Sequence, residues 1–391
     1  MEADFSRVLL INSAHAHLKI GTHVKNKQVM ILAARIKVLI VDDSALMRKA
    51  LKEIIMTDPS LEVVGTARDG QDAIEKVREL KPDVVTMDIN MPVMDGLTSM
   101  QYILYEYPEI PVLMVSSLTE EGALTTFEAL ELGAFDYITK PSGTVSSNIY
   151  IVGREIIQKV KLAYKSANRK SMKNRIQRIS GIPAQNKPVQ VKNEDFTTVN
   201  KGLTKVVVIG ISTGGPGTLM EVLPMLPQDL PAAVIIIQHM PPFFTSSYAK
   251  RLNGACRIPV KEAEAGDVLK NGMGYVAPGG YHLVVRGKNG IIRLPSAPKT
   301  IFMPSVNVTM ESVLDAFGGE NVVGVLMTGM GDDGADAMVK IRRAGGITIA
   351  EDESTAVVFG MPREAIERGG AEIIAPSYRI AEEIIKAVKK T

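Results

Sequence analysis

The chain has 391 residues, of which 46% are hydrophobic and 23% charged, and its formal net charge is +2. This length and composition predict a globular protein with more than one core, most naturally two domains. The near-neutral charge argues against a strongly nucleic-acid-binding protein, and the single cysteine, Cys256, leaves no intrachain disulfide. Neither an apolar run of about 18 residues nor a secretory signal is found, which indicates a cytoplasmic protein without membrane insertion.

The first 35 residues have no pattern that connects them to the rest of the chain. A short apolar run at residues 8–11 leads into a segment containing His and Lys, and Met30 offers a second possible start. We therefore expect residues 1–35 to be a poorly ordered extension, in which the first 29 residues are either an addition upstream of the native start or a poorly ordered tail.

From residue 36 to about 153, short apolar strands alternate with amphipathic helices. This alternation predicts the first of two doubly wound parallel-sheet domains. The strands are expected within IKVLIVDD, LEVVGTA, DVVTMD, VLMVSS and FDYITKP, and the helices over residues 44–56, 70–80, 96–105 and 120–132.

Polar residues stand where these strands end. Because the carboxyl ends of parallel strands meet at one edge of a sheet, we expect their side chains to converge there. Three carboxylates suit Mg²⁺, which prefers oxygen ligands. The alternative is that the acids only cap strand ends and solvated loops. The residues are Asp42 and Asp43 after the first strand, Asp88 after the third, Ser116 after the fourth and Lys140 after the fifth.

Such a site can accept a phosphoryl group on one of its own carboxylates, since Mg²⁺ and Lys140 would neutralise the charge on the transferred group. Asp88 is the predicted acceptor, because it is central and precedes a loop shaped by Pro92 and Gly96.

Residues 36 to about 142 closely resemble two-component receiver domains. The resemblance implies a flavodoxin-like fold and phosphorylation of Asp88 by a partner histidine kinase. It further implies a Mg²⁺ ion at Asp42, Asp43 and Asp88, and a conformational switch involving Ser116, Tyr137 and the Lys140-Pro141 pair.

Residues 154–202 lose strand character and gather basic residues. We interpret them as a helix that leads into a flexible linker. A nucleic-acid-binding patch is the alternative, but neither aromatic residues nor a binding fold accompany the charges. A second α/β pattern occupies residues 203–391, with strands expected in KVVVIG, AVIIIQHM, GYVAP, VVGVLMTG and GITIAED.

The first strand of this second domain ends in Gly210-Ile-Ser-Thr-Gly214, a G-x-S-x-G pattern. The pattern suits a sharp turn that exposes Ser212 as a nucleophile. Glycine-rich turns after strands also bind dinucleotide phosphates, and that alternative expects an acidic residue at the end of the next strand. Here that strand ends in Gln238-His239.

His239 and the loop of residues 328–334, which contains Asp332 and Asp333, also come after strands. A histidine could accept the serine proton while an aspartate fixes the imidazole tautomer, and glycines 329, 331 and 334 could present amide donors to an oxyanion. The chain order serine, histidine, aspartate differs from that of α/β-hydrolases.

The motifs GISTGGP, QHMPP, YVAPGGYH, LMTGMGDDG and VVFGMPREAI, between residues 203 and 378, closely resemble the methylesterase domain of the CheB family of chemotaxis response regulators. The resemblance implies a Rossmann-like domain without a cofactor. It implies Ser212 as nucleophile, His239 as base and Asp333 as orienting acid, with Thr213 and Met330 beside the site and Asp332 the weaker acid candidate.

The resemblance also implies the reaction. The substrates would be methylated glutamates on cytoplasmic helices of chemoreceptors, with methanol released and some receptor glutamines deamidated. The unphosphorylated receiver would cover the serine site. The alternatives are a binding module or a dinucleotide-binding protein without esterase activity. Two departures stand out: Phe243 where glycine is common, and Met303-Pro-Ser-Val-Asn307 in place of Arg-Pro-Ser-Val-Asp.

Overall fold

A computed structural model describes residues 35–140, 149–180, 202–203 and 205–390, except for the side chains of residue 151 and residues 168–180. Arg35–Thr391 form one compact unit. Residues 1–34 of the expected extension, Pro141 and most of the expected flexible linker lie outside the described residues. No helix in the described part of the chain is both long and apolar enough to span a bilayer.

The first domain contains a five-stranded sheet with strand order β2-β1-β3-β4-β5, and all of its strand pairs are parallel. This is the expected flavodoxin-like order, which reverses between β1 and β3. The strands are β1 Ile36–Val41, β2 Leu61–Ala67, β3 Val84–Asp88, β4 Val112–Ser117 and β5 Asp136–Lys140. The helices that cover them are α1 Ala45–Ile55, α2 Gly70–Leu80, α3 Gly96–Glu106 and α4 Glu120–Glu131.

A fifth helix, α5 Gly153–Ser180, comes after a short 3₁₀ turn at Ile149–Val152. Its first half packs into the core of the first domain through Ile156, Val160 and Ala163, all of which are buried. We expected a helix that leads into a flexible linker; the helix is present, and its first half packs against the first domain. Ile156, Val160 and Ala163 are spaced four and three apart, and this spacing aligns them on the helix face that contacts the sheet.

The second domain contains a seven-stranded parallel sheet with order β14-β13-β12-β6-β7-β9-β8, and its order reverses between β6 and β12. The long strands were expected from the sequence. The three-residue strands β8, β10, β11 and β14 were not expected, because a segment of three residues is too short to show the residue pattern of a strand. The strands are β6 Lys205–Ile211, β7 Ala232–Gln238, β8 Val260–Glu262, β9 Gly274–Val276, β10 Val284–Arg286, β11 Ile291–Arg293, β12 Val322–Leu326, β13 Ile347–Glu351 and β14 Ile373–Ala375.

Helices cover both faces of this sheet, and a small antiparallel pair, β10 with β11, lies beside it. The long strands β6, β7 and β12 of the seven-stranded sheet are largely buried and are therefore continuous apolar runs in the sequence. The helices are α6 Gly215–Val222, α7 Phe244–Ala255, α8 Val306–Phe317, α9 Ala335–Arg343, α10 Met361–Glu367 and α11 Ser377–Lys389, with 3₁₀ turns at Leu223–Met225 and Gly319–Asn321.

Four aromatic side chains join the two domains. Phe127 of α4 lies edge-on to Phe244 of α7, with ring centroids 6.0 Å apart, and stacks on Tyr248 at 5.3 Å. Tyr137 of β5 stacks on the other side, with its ring 5.1 Å from that of Phe244. All four rings are almost completely buried, so the apolar core runs without a break from one domain into the other.

Gly210 of β6 is required by packing. A Cβ atom at this position would lie 2.4 Å from Cγ1 of Val306, so we expect Gly210→Ala to reduce the free energy of unfolding by about 1–3 kcal/mol. Gly254 of α7 is exposed with open space around it, and Gly254→Ala should instead raise stability by up to about 1 kcal/mol. Urea unfolding of both variants measures the difference, and equal effects would contradict the packing argument.

Candidate active site

Ser212 and His239 lie side by side at the carboxyl edge of the second sheet. The last paired residues of β6 and β7 are Ile211 and Gln238, and the amide of His239 donates to the carbonyl of Ile211 at 3.2 Å. Gln238 Nε2 donates to the carbonyl of Ser212 at 3.0 Å. Because β6 and β7 are neighbouring parallel strands, their carboxyl ends bring the two predicted residues together, next to the point between β6 and β12 where the strand order reverses.

The turn after Ser212 depends on glycine at Gly214. This residue has φ +76°, and a Cβ atom there would lie 2.5 Å from Val357. A residue with a side chain would be strained in this left-handed conformation. Helix α6 begins at the next residue, so the strand-to-helix turn predicted from the G-x-S-x-G pattern is present.

His239 pairs with Asp333. The Nε2 atom of His239 is 2.8 Å from Oδ2 of Asp333, and both side chains are largely buried. The carboxylate accepts the Nε2 proton, and the other ring nitrogen, Nδ1, is buried without a hydrogen-bond partner among the described residues. The two nitrogens thus have exchanged roles relative to the usual serine triad, where the aspartate faces Nδ1.

The carboxylate of Asp333 is held by the amino end of helix α8. Oδ1 accepts hydrogen bonds from Ser305 Oγ at 2.9 Å and from the amide of Asn307 at 3.0 Å, and Oδ2 accepts the amide of Val306 at 2.7 Å. Burial alone would raise the pKa of Asp333, but the charge and hydrogen bond of His239 together with these amide donors hold it below its usual value. The carboxylate therefore stays ionised beside the imidazole.

A second histidine supports this arrangement. His282 is fully buried, its Nε2 lies 2.8 Å from the carbonyl of Pro298, and its Nδ1 accepts the amide of Ser305 at 3.2 Å. His282 thereby fixes the residue that begins helix α8 and donates to Asp333. An isolated histidine after a glycine pair gave no sign of this role in the sequence.

Phe302 covers one face of His239. The two rings are stacked, with centroids 4.1 Å apart and planes 6° from parallel. This contact restricts rotation of the imidazole and places an aromatic face where an imidazolium would form. The segment around Phe302 departs from the usual family pattern, so the stack could not be foreseen from the resemblance.

The neighbouring acid, Asp332, points elsewhere. Its side chain is exposed and pairs with Arg368 at 2.7 Å, which separates its role from that of buried Asp333. The amide of Gly329, one of three expected oxyanion donors, already donates to the carbonyl of Val358 at 3.0 Å and cannot serve an oxyanion. Thr213 is buried beside Ser212, and Met330 lines an adjacent cleft of about 510 Å³.

A buried glutamate lies behind the turn that follows Ser212. Glu351 is inaccessible to solvent and accepts the amide of Thr328 at 2.8 Å and the hydroxyl of Thr355 at 3.0 Å. Thr328 in turn accepts the amide of Ser212 through its carbonyl and donates its hydroxyl to the carbonyl of Thr213, each at 2.9 Å. Burial raises the pKa of Glu351 to about 7.

The first domain carries the expected acidic site at its own sheet edge. Carboxylate oxygens of Asp42, Asp43 and Asp88 lie within 4.8 Å of one another. Lys140 Nζ is 3.0 Å from Asp42 and 2.8 Å from Asp88. Burial raises the pKa of Asp88 to about 6, although the positive charge of Lys140 opposes the shift. An all-oxygen donor set of this size fits Mg²⁺.

The two expected switch residues occupy different surroundings. Ser116 is buried, donates to the carbonyl of Gly122 at 3.1 Å and accepts the hydroxyl of Thr126 at 2.8 Å. Tyr137 is also buried, and its ring stacks on Phe244 of the second domain. Tyr137, one of the expected switch residues, thus touches the second domain directly.

Residues 207–384 match the family model of the CheB methylesterase, and residues 38–146 match that of the response regulator receiver domain. The chain is 56% identical over 361 residues to protein-glutamate methylesterase/protein-glutamine glutaminase 3 of Syntrophomonas wolfei, covering 91% of this chain and 100% of that protein. The chain belongs to the CheB methylesterase family.

The chain is also similar to a second full-length relative and to a solved structure. The protein-glutamate methylesterase/protein-glutamine glutaminase of Caldanaerobacter subterraneus is 52% identical over 91% of this chain and 97% of its own length. A crystal structure of the Thermotoga maritima CheB methylesterase catalytic domain is 41% identical, with a TM-score of 0.46, and covers 48% of this chain and 98% of that one. The Syntrophomonas and Caldanaerobacter relatives match this chain over almost their whole length, so they share its organisation into a receiver domain and a methylesterase domain.

In this CheB-family chain, the structure brings Ser212, His239 and Asp333 to the carboxyl edge of the second sheet. It brings the acids and Lys140 of the receiver domain to the carboxyl edge of the first sheet. Sequence reasoning missed Ser305, His282, Phe302 and Glu351. Ser305 had a detectable signal, since a serine at the start of an apolar helical pattern predicts an N-cap. The others depend on contacts between distant segments.

We expect Glu351→Gln to change how stability depends on pH. In the unfolded chain Glu351 ionises near pH 4.5, whereas in the folded protein it ionises near 7, so wild-type stability falls as pH rises between these values. A glutamine stays neutral and can still accept from Thr328 and donate to Thr355. The variant should therefore gain up to about 3 kcal/mol relative to wild type between pH 4.5 and 8.

Urea unfolding across this pH range measures the effect. Glu372→Gln, which alters an exposed glutamate, is the matched control. Parallel curves for Glu351→Gln and wild type would contradict the assignment of a buried, late-ionising carboxyl group.

Proposed function

We propose that this chain is a phosphorylation-regulated protein-glutamate methylesterase and protein-glutamine glutaminase that acts on chemoreceptors. The observation that carries the proposal is the buried His239–Asp333 pair, 2.8 Å apart, at the strand end beside Ser212. A dinucleotide site needs an acidic residue at the end of β7, where Gln238 and His239 stand instead.

Proton transfer depends on the orientation of the imidazole. Asp333 holds the Nε2 proton, so Nδ1 carries the lone pair and is the atom that accepts the proton of Ser212. Ser212 Oγ then attacks the ester carbonyl and forms a tetrahedral oxyanion. The ionised carboxylate of Asp333 and the face of Phe302 stabilise the resulting imidazolium.

The same residues complete the reaction. The protonated His239 gives its proton to the departing methoxy group, the bond from carbon to methoxy oxygen breaks, and methanol leaves an acyl-Ser212. A water molecule then gives one proton to His239 and attacks the acyl carbon; the bond from that carbon to Ser212 Oγ breaks, His239 returns the proton to Ser212 Oγ, and the glutamate carboxylate is released. With a glutamine, ammonia leaves in place of methanol, so one site serves both reactions.

The nucleophile can be tested by Ser212→Ala. We expect the loss of at least about 10³-fold of methanol release from methylated receptor membranes, since no oxygen remains to form the acyl intermediate. The fold should be unaffected, because the Ser212 contacts in the turn are made by its backbone. Asp332→Ala, which changes the exposed neighbouring acid, should keep nearly full activity. Methanol release by Ser212→Ala at the wild-type rate would refute the mechanism.

The receiver domain would accept a phosphoryl group on Asp88 from a chemotaxis histidine kinase. Asp42, Asp43 and Asp88 would hold Mg²⁺, which neutralises charge on the transferred group. Lys140 lies within 3.0 Å of both Asp42 and Asp88 and would contact the same group. A kinase and receptor helices of this kind would place the activity in the cytoplasm.

Regulation would act through the contact between the domains. Leu162, Lys165 and Ser166 of helix α5 line the same cleft as Met330 and Gly360, beside the serine site. The aromatic cluster of Phe127, Tyr137, Phe244 and Tyr248 and two ion pairs hold the receiver in this position. Phosphorylation that moves Ser116 and Tyr137 would disturb the stack on Phe244 and favour an open form.

The ion pairs allow a test on the full chain. Arg251 of α7 pairs with Glu131 of α4, and Lys250 lies 3.5 Å from Glu120. We expect Arg251→Glu to raise the activity of the unphosphorylated enzyme several-fold, because the reversed charge repels Glu131 and weakens docking. Adding Glu131→Arg should restore the low activity through a swapped pair.

Asp88→Ala serves as the reference for both variants, because it cannot be phosphorylated. In this background Arg251→Glu should still be more active than its parent, since it bypasses the switch. Unchanged activity in every combination would rule out occlusion by the docked receiver.

A further inference from the structure

Three exposed apolar side chains lie on loops that meet beside His239. Phe243, Tyr281 and Ile301 are 57%, 49% and 93% exposed. Single exposed apolar residues are common on protein surfaces, but several on adjoining loops next to a site indicate a contact surface.

Backbone contacts tie these loops together. The amide of Gly280 donates to the carbonyl of Met303 at 3.1 Å, and a Cβ atom on Gly280 would lie 3.3 Å from Cγ of Pro242. Phe243 lies four residues after His239, and Ile301 precedes the ring that stacks on His239. The three side chains therefore border the catalytic histidine.

Phe243 is unfavourable for stability in two ways. Its φ of +69° with ψ of −38° is a conformation that bulky residues rarely adopt and that glycine adopts freely. Its aromatic ring is also more exposed than buried, so packing does not compensate for the strain. A phenylalanine at this position is better explained by a contact with another molecule.

The surface is also uncharged. Residues 240–243, 279–282 and 300–304 contain no Asp, Glu, Lys or Arg. The nearest charged residue along the chain is exposed Lys299, two residues before Ile301. Such segments suit the apolar face of a protein element, because apolar side chains can be covered there without burying a charge.

We propose that Phe243, Tyr281 and Ile301 form a docking surface for the apolar face of the amphipathic helix that carries the substrate side chain. Apolar residues one helical turn from the ester, at i±3 and i±4, would contact this surface while the ester enters the site. This inference rests on the proposed function, since it takes a helical protein segment as substrate.

The test compares two substrates of the full-length enzyme. The first is methylated receptor membranes, for which methanol release is measured. The second is p-nitrophenyl acetate, which is too small to reach the docking surface and the serine together. Phe243→Gly should lower the ratio of kcat/KM for receptor to kcat/KM for the small ester about tenfold, mainly through KM. Its unfolding temperature should equal or exceed that of wild type, because glycine relieves the backbone strain.

Tyr281→Ser provides a second variant with no change at a strained position, and it should lower the ratio in the same direction. Tyr378→Ala removes a ring that is 75% exposed at the start of α11, outside the site, and should leave the ratio unchanged. If Phe243→Gly and Tyr281→Ser both kept the wild-type ratio of the two kcat/KM values, the docking surface would be refuted and the proposed function would stand. If wild type itself released no methanol from receptors, the proposed function would fail instead.

Discussion

The catalytic half of this protein depends on one buried carboxylate. Asp333 joins three distant segments, because it lies in the loop after β12 and accepts from both the imidazole after β7 and the groups that begin helix α8. An ionised carboxylate is costly to bury unless donors surround it, and here four donors do. The packing of α8 against Gly210 and the orientation of His239 are both consequences of meeting that need.

In the receiver half, buried carboxylates also need donors or positive charge around them, but there the protein supplies too few. Its three carboxylates share one lysine, so the site has an excess of negative charge that a cation can relieve. Asp333 is satisfied by the protein alone and remains a fixed part of the fold. Burial and the negative charge of Asp42 raise the pKa of Asp88, so its ionised form is less favourable and would gain from a bound cation.

The sequence predicted the two sheets because long buried strands are continuous apolar runs. Strand ends in parallel sheets share an edge, which selected Ser212, His239 and the pair Asp332 and Asp333, and the family resemblance selected Asp333 from that pair. It could not predict contacts between segments with no fixed spacing, such as Phe302 on His239, Glu351 behind Thr328, or the sharing of Tyr137 between the domains. The helix α5 was expected, but the packing of its first half against the first domain was not, because its many basic residues obscure an apolar stripe of only three residues.

The aromatic cluster between the domains has a consequence for the duration of signalling. In the proposed open form, the rings of Phe127, Tyr137, Phe244 and Tyr248 would be exposed to water, and covering them again would be favourable without any further input. Hydrophobic re-association of the domains would then limit the active period alongside loss of the phosphoryl group.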